Sequence, residues 1–328
     1  MTALLKVEQL VTRFAGPKPG TYFHACDGID LEVRQGEILG LVGESGCGKS
    51  TLGRSIIGLE KPASGRVIFN GVDLATLRGA MLRKTRRRIQ YIFQDAYASL
   101  NPRQTIGQTL DETLIISGER SDAARSRAIE GLLDNVGLAG EIAQRFPREL
   151  SGGQRQRVSI ARALVMKPEL LICDEPVSAL DLSVRAQVMN LIIKLRETMG
   201  MACIFIAHDL ALVRQAAQRT MVMYLGKIVE LAPSDELYAT PGHPYTKALL
   251  SAIPDPDPRI ESTREPILLS RELPSPLDPP SGCRFHTRCW MQTETCTASA
   301  PSLDAVGKPG HLSACHYRDQ VLQQAGAR

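Results

Sequence analysis

The chain has 328 residues, with 39 lysines and arginines against 35 aspartates and glutamates, a net charge of +4. That length accommodates two domains and a full hydrophobic core, while so slight a basic excess does not argue for a nucleic-acid partner, and none is expected, and it tolerates an anionic membrane face. No uninterrupted run of about 18 apolar residues spans a bilayer. The start, Met1-Thr2-Ala3-Leu4-Leu5-Lys6, turns polar too soon for a signal peptide, so cytosolic residence is expected, and there the eight cysteines read as metal ligands, reactive thiols or small core residues rather than disulfides.

Residues 4–14 alternate as a strand, Ala15 to Gly20 is a loop by its prolines and glycines, and Ala25 to Val33 is a second strand. Phe14, Tyr22 and Phe23 lie here; each is as well suited to covering a sheet as to stacking on a nucleotide base. Ile38 to Val42 is an apolar run that leads into Gly43-Glu44-Ser45-Gly46-Cys47-Gly48-Lys49-Ser50, followed from Thr51 to Leu59 by the composition of a helix start. Strand, glycine loop and helix N-terminus form an anion site, because unpaired N–H groups and the positive end of the helix dipole converge. Gly43, Gly46 and Gly48 let the backbone approach phosphates, Lys49 adds a point charge for the β and γ groups, and the Ser50 hydroxyl suits Mg²⁺.

Residues 66–69 predict a strand and Asn70-Gly71 a tight turn. The basic run Arg83 to Arg88 reads either as a phosphate or nucleic-acid patch or, being short and isolated, as a solvated helix face. Ile89 to Gln94 is a strand with a polar end, and from Asp95 to about Pro147 the apolar spacing turns helical through Ile106, Leu110, Leu114, Ala128, Leu132, Leu133 and Val136. Leu150-Ser151-Gly152-Gly153-Gln154 then opens another helix, equally readable as a second phosphate clamp or as a helix cap. Residues 170–175 form a short apolar strand ending in two acids, an expensive placement unless a cation or a proton transfer uses them. Asp174 is placed to hold Mg²⁺, directly or through water, and Glu175 to orient and deprotonate an attacking water. Ser178 to Asp181 follows, then a helix through Leu195. Met201 to Ala207 is another buried strand with His208 at its end, and strands at 220–225 and 227–231 close the sheet.

Gly43 to Ser50, Gln94, Leu150 to Gln154, Asp174 with Glu175, Asp181 and His208 occur in the order found in the ATP-binding subunits of ABC transporters, and the chain resembles that family from about residue 4 to residue 232. The resemblance implies ATP and Mg²⁺ as ligands, with Gly43 through Thr51 on the phosphates and Gln94 touching Mg²⁺ and the attacking water. It further implies that Ser151, Gly152, Gly153 and Gln154 bind the γ-phosphate held by an opposite subunit, in a head-to-tail dimer with a copy or a paralogue. Asp181 would lie between the two sites, and His208 would hold the γ-phosphate. Phe93 to Arg103 is similar to the extended Q-loop of dipeptide, oligopeptide and nickel importers, with Ala96 where relatives commonly have proline. His243-Pro244-Tyr245-Thr246-Lys247-Ala248-Leu249-Leu250 resembles the segment from which that group's C-terminal extension takes its name.

Beyond residue 250, Pro254, Pro256, Pro258, Pro266, Pro274, Pro276, Pro279 and Pro280 predict an extended linker. Cys283, Cys289, Cys296 and Cys315 follow, with five, six and eighteen residues between them, whereas Cys26, Cys47, Cys173 and Cys203 are scattered and read as small buried or loop residues. Four thiolates in a segment with few apolar residues suggest a metal centre in place of a core. Their spacing is not that of a paired CxxC ribbon, and four sulfurs suit Zn²⁺ or an iron-sulfur cluster, with His286, His311 and His316 as nearby substitutes. In peptide importers resembling this chain the extension carries a 4Fe-4S cluster on such cysteines.

The expected architecture is therefore α/β: an ABC-type P-loop NTPase core over 1–232, with an antiparallel β subdomain, a helical subdomain inserted at about 95–155, and a Cys-rich extension over 233–328. The resemblance implies a peripheral subunit on the cytoplasmic face of a bacterial inner membrane. It would work with two membrane permease subunits and an external solute-binding protein, importing a peptide or a related solute such as nickel. A non-transport ABC ATPase acting on DNA or ribosomes is the competing reading, disfavoured by the single cassette and the importer-type tail.

Overall fold

The computed structural model of the chain describes residues 3–254, 257–261, 266–269 and 272–325; Met1, Thr2 and Pro256, on which expectations above draw, lie outside them. In chain order the elements are β1 (Ala3–Ala15), β2 (Tyr22–Arg34), β3 (Ile38–Val42), α1 (Lys49–Ile56), β4 (Ser64–Phe69), β5 (Val72–Asp73), α2 (Gly79–Arg87), β6 (Ile89–Ile92), α3 (Ile106–Ser117), α4 (Asp122–Asn135) and α5 (Gly152–Leu164). They continue with β7 (Leu170–Asp174), α6 (Leu182–Met199), β8 (Ala202–Ala207), α7 (Leu210–Ala216), β9 (Arg219–Tyr224), β10 (Lys227–Pro233), α8 (Ser234–Ala239), α9 (Pro244–Ser251), α10 (Pro258–Glu261), α11 (Glu294–Ala298), β11 (Asp304–Ala305), β12 (Leu312–Ser313) and α12 (Arg318–Ala325). Among the described residues no helix is long and apolar enough to cross a membrane.

The chain forms two compact units, one built mainly from 70–206 with short pieces at 33–37 and up to Leu4, the other from 5–32, 38–69 and 207 onward. In the first, β6, β7 and β8 run parallel, with Ile89 opposite Leu170 and Leu170 opposite Ala202. Every residue of β7 and β8 is buried. Their unbroken apolar runs follow from a parallel sheet covered on both faces, where alternation has no solvent side to address.

Helix does not begin at Asp95, as the apolar spacing suggests; it begins at Ile106. Asp95 Oδ1 accepts the N–H groups of Tyr97 and Ala98, and Asn101 Oδ1 that of Arg103, so local side-chain bonds hold 95–104 in turns. Thr105 and Gln108 then form a capping box that starts α3. The basic run lies on α2, which buries nothing, and Arg83, Lys84, Arg86 and Arg87 make an exposed face; Arg88, the cap residue, instead pairs with Glu169.

In the second unit β1 pairs antiparallel with β4, beside β2. The strand β3 runs parallel to β9, from Leu39 opposite Arg219 to Val42 opposite Val222, and β9 and β10 form an antiparallel hairpin. The end of the chain extends this sheet: β12 pairs with β10 through Glu230–Ser313 and Leu231–Leu312, and β11 pairs with β12. The expectation that this tail lacks an apolar core is corrected here. Phe285, Val306 and Val321 are buried, and Phe285 packs on Tyr224 and Tyr245 with ring centroids 5.3 and 5.4 Å away. The apolar residues are few in sequence, but Phe285 closes on rings supplied by β9 and α9.

Candidate functional site

All five residues of β3 are buried, so the chain leaves the sheet at Val42 and turns directly into the glycine loop. Gly43, Gly46 and Gly48 all have positive φ, but for different reasons. A Cβ at Gly43 would meet the Met223 carbonyl oxygen at 2.2 Å and one at Gly48 the Ala25 carbonyl oxygen at 1.9 Å, so these two are glycine because the protein's own backbone presses on them. At Gly46 a Cβ would meet nothing within 4 Å, and this is the open part of the loop. Lys49 is buried, with its ammonium on the carbonyls of Gly43 at 2.7 Å and Glu44 at 3.0 Å. These bonds draw the loop around the amine, and a buried ammonium at a helix N-terminus suits an anion on the same turn. Glu44, Ser45 and Cys47 complete the loop, with Cys47 buried and its carbonyl accepting the Gly226 N–H at 2.8 Å; Ser50 and Thr51 lie in the first turn of α1.

In the other unit β7 ends at Asp174, and Glu175 is already outside the strand with φ +46°. Its N–H donates to the Ile206 carbonyl at 3.0 Å, and its carboxylate accepts from Gln94 Nε2 at 3.1 Å. The two acids are thus separated by a backbone turn that gives them different surroundings. Asp174 is fully buried and accepts a hydrogen bond from the Tyr91 hydroxyl at 2.6 Å. Sequence reasoning treats Tyr91 only as part of a strand; its role follows from β6 and β7 running parallel side by side, which no local pattern announces. A buried carboxylate oriented by a hydroxyl at the end of a strand suits a divalent cation.

The Ser151 side chain caps α5 by accepting the Gln154 N–H at 3.3 Å, while Gln154 Oε1 accepts the Ser151 N–H at 3.0 Å. The capping alternative is therefore real, a reciprocal capping box at the start of α5. A Cβ on Gly153 would lie 2.5 Å from Val184 Cγ1, and one on Gly152 3.2 Å from Leu180 Cδ2, so the glycine pair seats α5 on the start of α6. Asp181 is the N-cap residue of α6. His208 follows β8 directly, is exposed, and precedes Asp209, which caps α7 through the Ala211 N–H at 2.8 Å.

Cys283, Cys289, Cys296 and Cys315 line one small pocket, together with His286 and His316. Burial pushes the Cys283, Cys289 and Cys315 thiols up, to about 12 at Cys289 and about 11 at Cys315, so thiolates at these three positions call for a compensating cation. Among the described residues no three His, Cys, Asp or Glu side chains approach closely enough to hold a metal ion. His311 is directed elsewhere, its Nε2 lying 2.7 Å from the buried Glu230 carboxylate. Cys26, Cys47, Cys173 and Cys203 are all buried, as their scatter suggests.

The ABC transporter family matches residues 26–178, and the C-terminal region of oligopeptide/dipeptide transporters matches residues 229–296. The oligopeptide transport ATP-binding protein YkfD of Bacillus subtilis is 49% identical over 98% of both chains. A peptide import ATP-binding protein of Brucella ovis is 49% identical over 90% of this chain and 92% of its own. Among solved structures, the dimeric post-hydrolysis state of the ATP-binding cassette MJ0796 bound to ADP and Pi matches with a TM-score of 0.64 and 29% identity, over 70% of this chain and 98% of that one. CbiO1 of Clostridium perfringens, part of the ABC transporter complex CbiONQ, matches at 0.64 and 28%, over 73% and 92%. With an unbroken phosphate loop, a buried aspartate followed by a glutamate, and relatives alike over nearly their whole length, the chain belongs to the ATP-binding proteins of ABC transporters, in the group with the oligopeptide/dipeptide-transporter C-terminal region.

Proposed function

We propose that the chain is the ATP-hydrolysing subunit of an importer for peptides or a related solute such as nickel. The observation that carries this reading is Glu175, turned out of β7 by its positive φ and bonded to Gln94 Nε2 at 3.1 Å. A carboxylate held this way is suited to orient a water and accept its proton. Gly43 through Thr51 bind the phosphates, and Ser50, Gln94 and Asp174 are the residues that would hold Mg²⁺, which would supply charge neutralisation at the phosphates. His208 contacts the γ-phosphate. Ser151 through Gln154 act on nucleotide held by a second cassette, so the working unit is a head-to-tail dimer with itself or a paralogue.

The remaining parts follow from the relatives' names and from the domain expectations. The core spans 1–232, with an antiparallel β subdomain and a helical insertion at about 95–155, and the extension spans 233–328. The partners are two membrane permease subunits and an external solute-binding protein, and the place of work is the cytoplasmic face of the membrane. The four-cysteine pocket is read as a 4Fe-4S site. Its soft donors fit, and a polynuclear cluster, whose irons each take one thiolate, holds its cysteines further apart than a single Zn²⁺ does. Such a cluster would supply cross-links to a tail of few apolar residues.

The test is co-purification from solubilised membranes followed by turnover measurements. Two permease subunits should accompany the chain, and Lys49→Ala in both cassettes should lower MgATP hydrolysis at least about a hundredfold. Full turnover after that substitution would refute the reading. Anaerobically purified protein should show broad visible absorption with iron and sulfide; stoichiometric zinc and a featureless visible spectrum would replace the cluster by Zn²⁺.

A further inference from the structure

We infer that Arg288 and Tyr245, both in the C-terminal extension, are positioning residues for the phosphate loop: Arg288 neutralises and aims the Glu44 carboxylate, while Tyr245 fixes the Glu44 peptide. This rests on the nucleotide reading of that loop and assigns the extension a part in it. Glu44 stands immediately after Gly43, where a free carboxylate would face the same polyphosphate that the loop's N–H groups and Lys49 attract. Arg288 answers that charge with a two-pronged contact, Nη1 to Oε2 at 2.8 Å and Nη2 to Oε1 at 3.1 Å. The arginine side chain is only 8% exposed and the glutamate 27%, so the pair is poorly screened by water. Burial opposes the guanidinium charge, but its bonds to Glu44 and Tyr224 outweigh that and keep it protonated.

The backbone of the same loop residue is held as firmly. The Glu44 N–H donates to the Tyr245 hydroxyl at 2.9 Å, and its carbonyl accepts from Lys49 Nζ at 3.0 Å. Tyr245 is fully buried, its ring 4.7 Å from that of Tyr224 and 5.4 Å from that of Phe285. Its hydroxyl therefore has little room to move. The short turn that carries Arg288 also carries Arg284, which bonds the Leu225 carbonyl and the Asp27 carboxylate. The next residue, Gly226, donates its N–H to the loop carbonyl of Cys47 at 2.8 Å. One turn of the extension thus reaches the loop directly through Arg288 and supports its backing through Arg284. A residue 244 positions away in sequence supplies the counter-charge.

The test is the affinity of the full-length chain for a fluorescent ADP analogue with Mg²⁺, alongside thermal unfolding. Arg288→Ala should weaken binding about tenfold, because it leaves a unit negative charge beside the phosphates, and Glu44→Gln in the same chain should bring affinity back to within about threefold of wild type. Rescue by removing a charge is a result that loss of packing alone does not give. Unchanged affinity in Arg288→Ala, or a double variant as weak as the single one, would overturn the inference. Should Arg288→Ala fail to fold, Arg288→Gln carries the test: nearly as long but without the charge, it should weaken binding about as much, and unchanged affinity would overturn the proposal. Lys49→Ala separates the two levels. If it leaves ADP affinity unaltered, the nucleotide reading itself falls; if it weakens binding while Arg288→Ala does not, only the positioning role falls.

Discussion

Tyr91 and the loop glycines show how single residues acquire roles that their types do not announce. The Tyr91 hydroxyl is 2.6 Å from an Asp174 oxygen that has no access to water. Tyr91→Phe should therefore destabilise the chain by about 1.5–3 kcal/mol in urea unfolding and raise the Mg²⁺ concentration needed for half-maximal hydrolysis; identical unfolding and Mg²⁺ curves would remove Tyr91 as the group that orients Asp174. The glycines separate in the same way. Gly48→Ala drives a methyl to 1.9 Å from a backbone carbonyl, whereas Gly46→Ala meets nothing and bears only the strain of φ +80°. The former should cost more than about 2 kcal/mol of stability, and the latter about 1 kcal/mol while still weakening nucleotide binding. Equal losses of stability in the two variants would contradict the distinction. From the sequence, Gly43, Gly46 and Gly48 all read as openings for phosphate; only the carbonyls of Met223, on β9, and Ala25, on β2, reveal that two of them are needed for the fold.

Among elements, the strands β3, β7 and β8 were legible as unbroken apolar runs, because a sheet buried on both faces leaves that trace. The stretch 95–105 was not, since the turns at Asp95 and Asn101 win over apolar spacing, although Thr105-x-x-Gln108 is a cap signal in plain sight. The strand containing the two acids ends one residue earlier than the apolar pattern implies, because Glu175 bonds across to Ile206 and turns away. The packing of α5 on α6 makes a testable pair. Gly153→Ala places a methyl 2.5 Å from Val184 Cγ1 and should cost about 1–3 kcal/mol, and Val184→Ala in the same chain should recover part of that loss. Strictly additive losses, measured by thermal or urea unfolding, would show that the helices are not seated on each other through this contact.

At the scale of the whole molecule, the end of the chain joins the sheet that launches the phosphate loop. Its four clustered cysteines mark it in the sequence, whereas its ties to β10 and Glu44 bridge long separations that composition cannot encode. His243, in the segment before α9, is fully buried with Nδ1 accepting the Tyr245 N–H at 3.1 Å. Burial lowers its pKa from 6.5 to about 3, against a weaker opposing bond to Ala314. The unfolded chain therefore takes up a proton that the folded chain refuses: this contribution is complete above about pH 6.5 and falls by about 1.4 kcal/mol per unit toward pH 3. Urea unfolding across that range should show the slope, and His243→Asn should flatten it; a slope unchanged by the substitution would assign the acid sensitivity to other groups.

Glu175→Gln tests the catalytic assignment most directly. With MgATP, the variant assembled with its partner cassette should hydrolyse at least about a hundredfold more slowly and elute as a dimer retaining uncleaved ATP. Hydrolysis at the wild-type rate, with no nucleotide-retaining dimer, would contradict the assignment of Glu175 as the base.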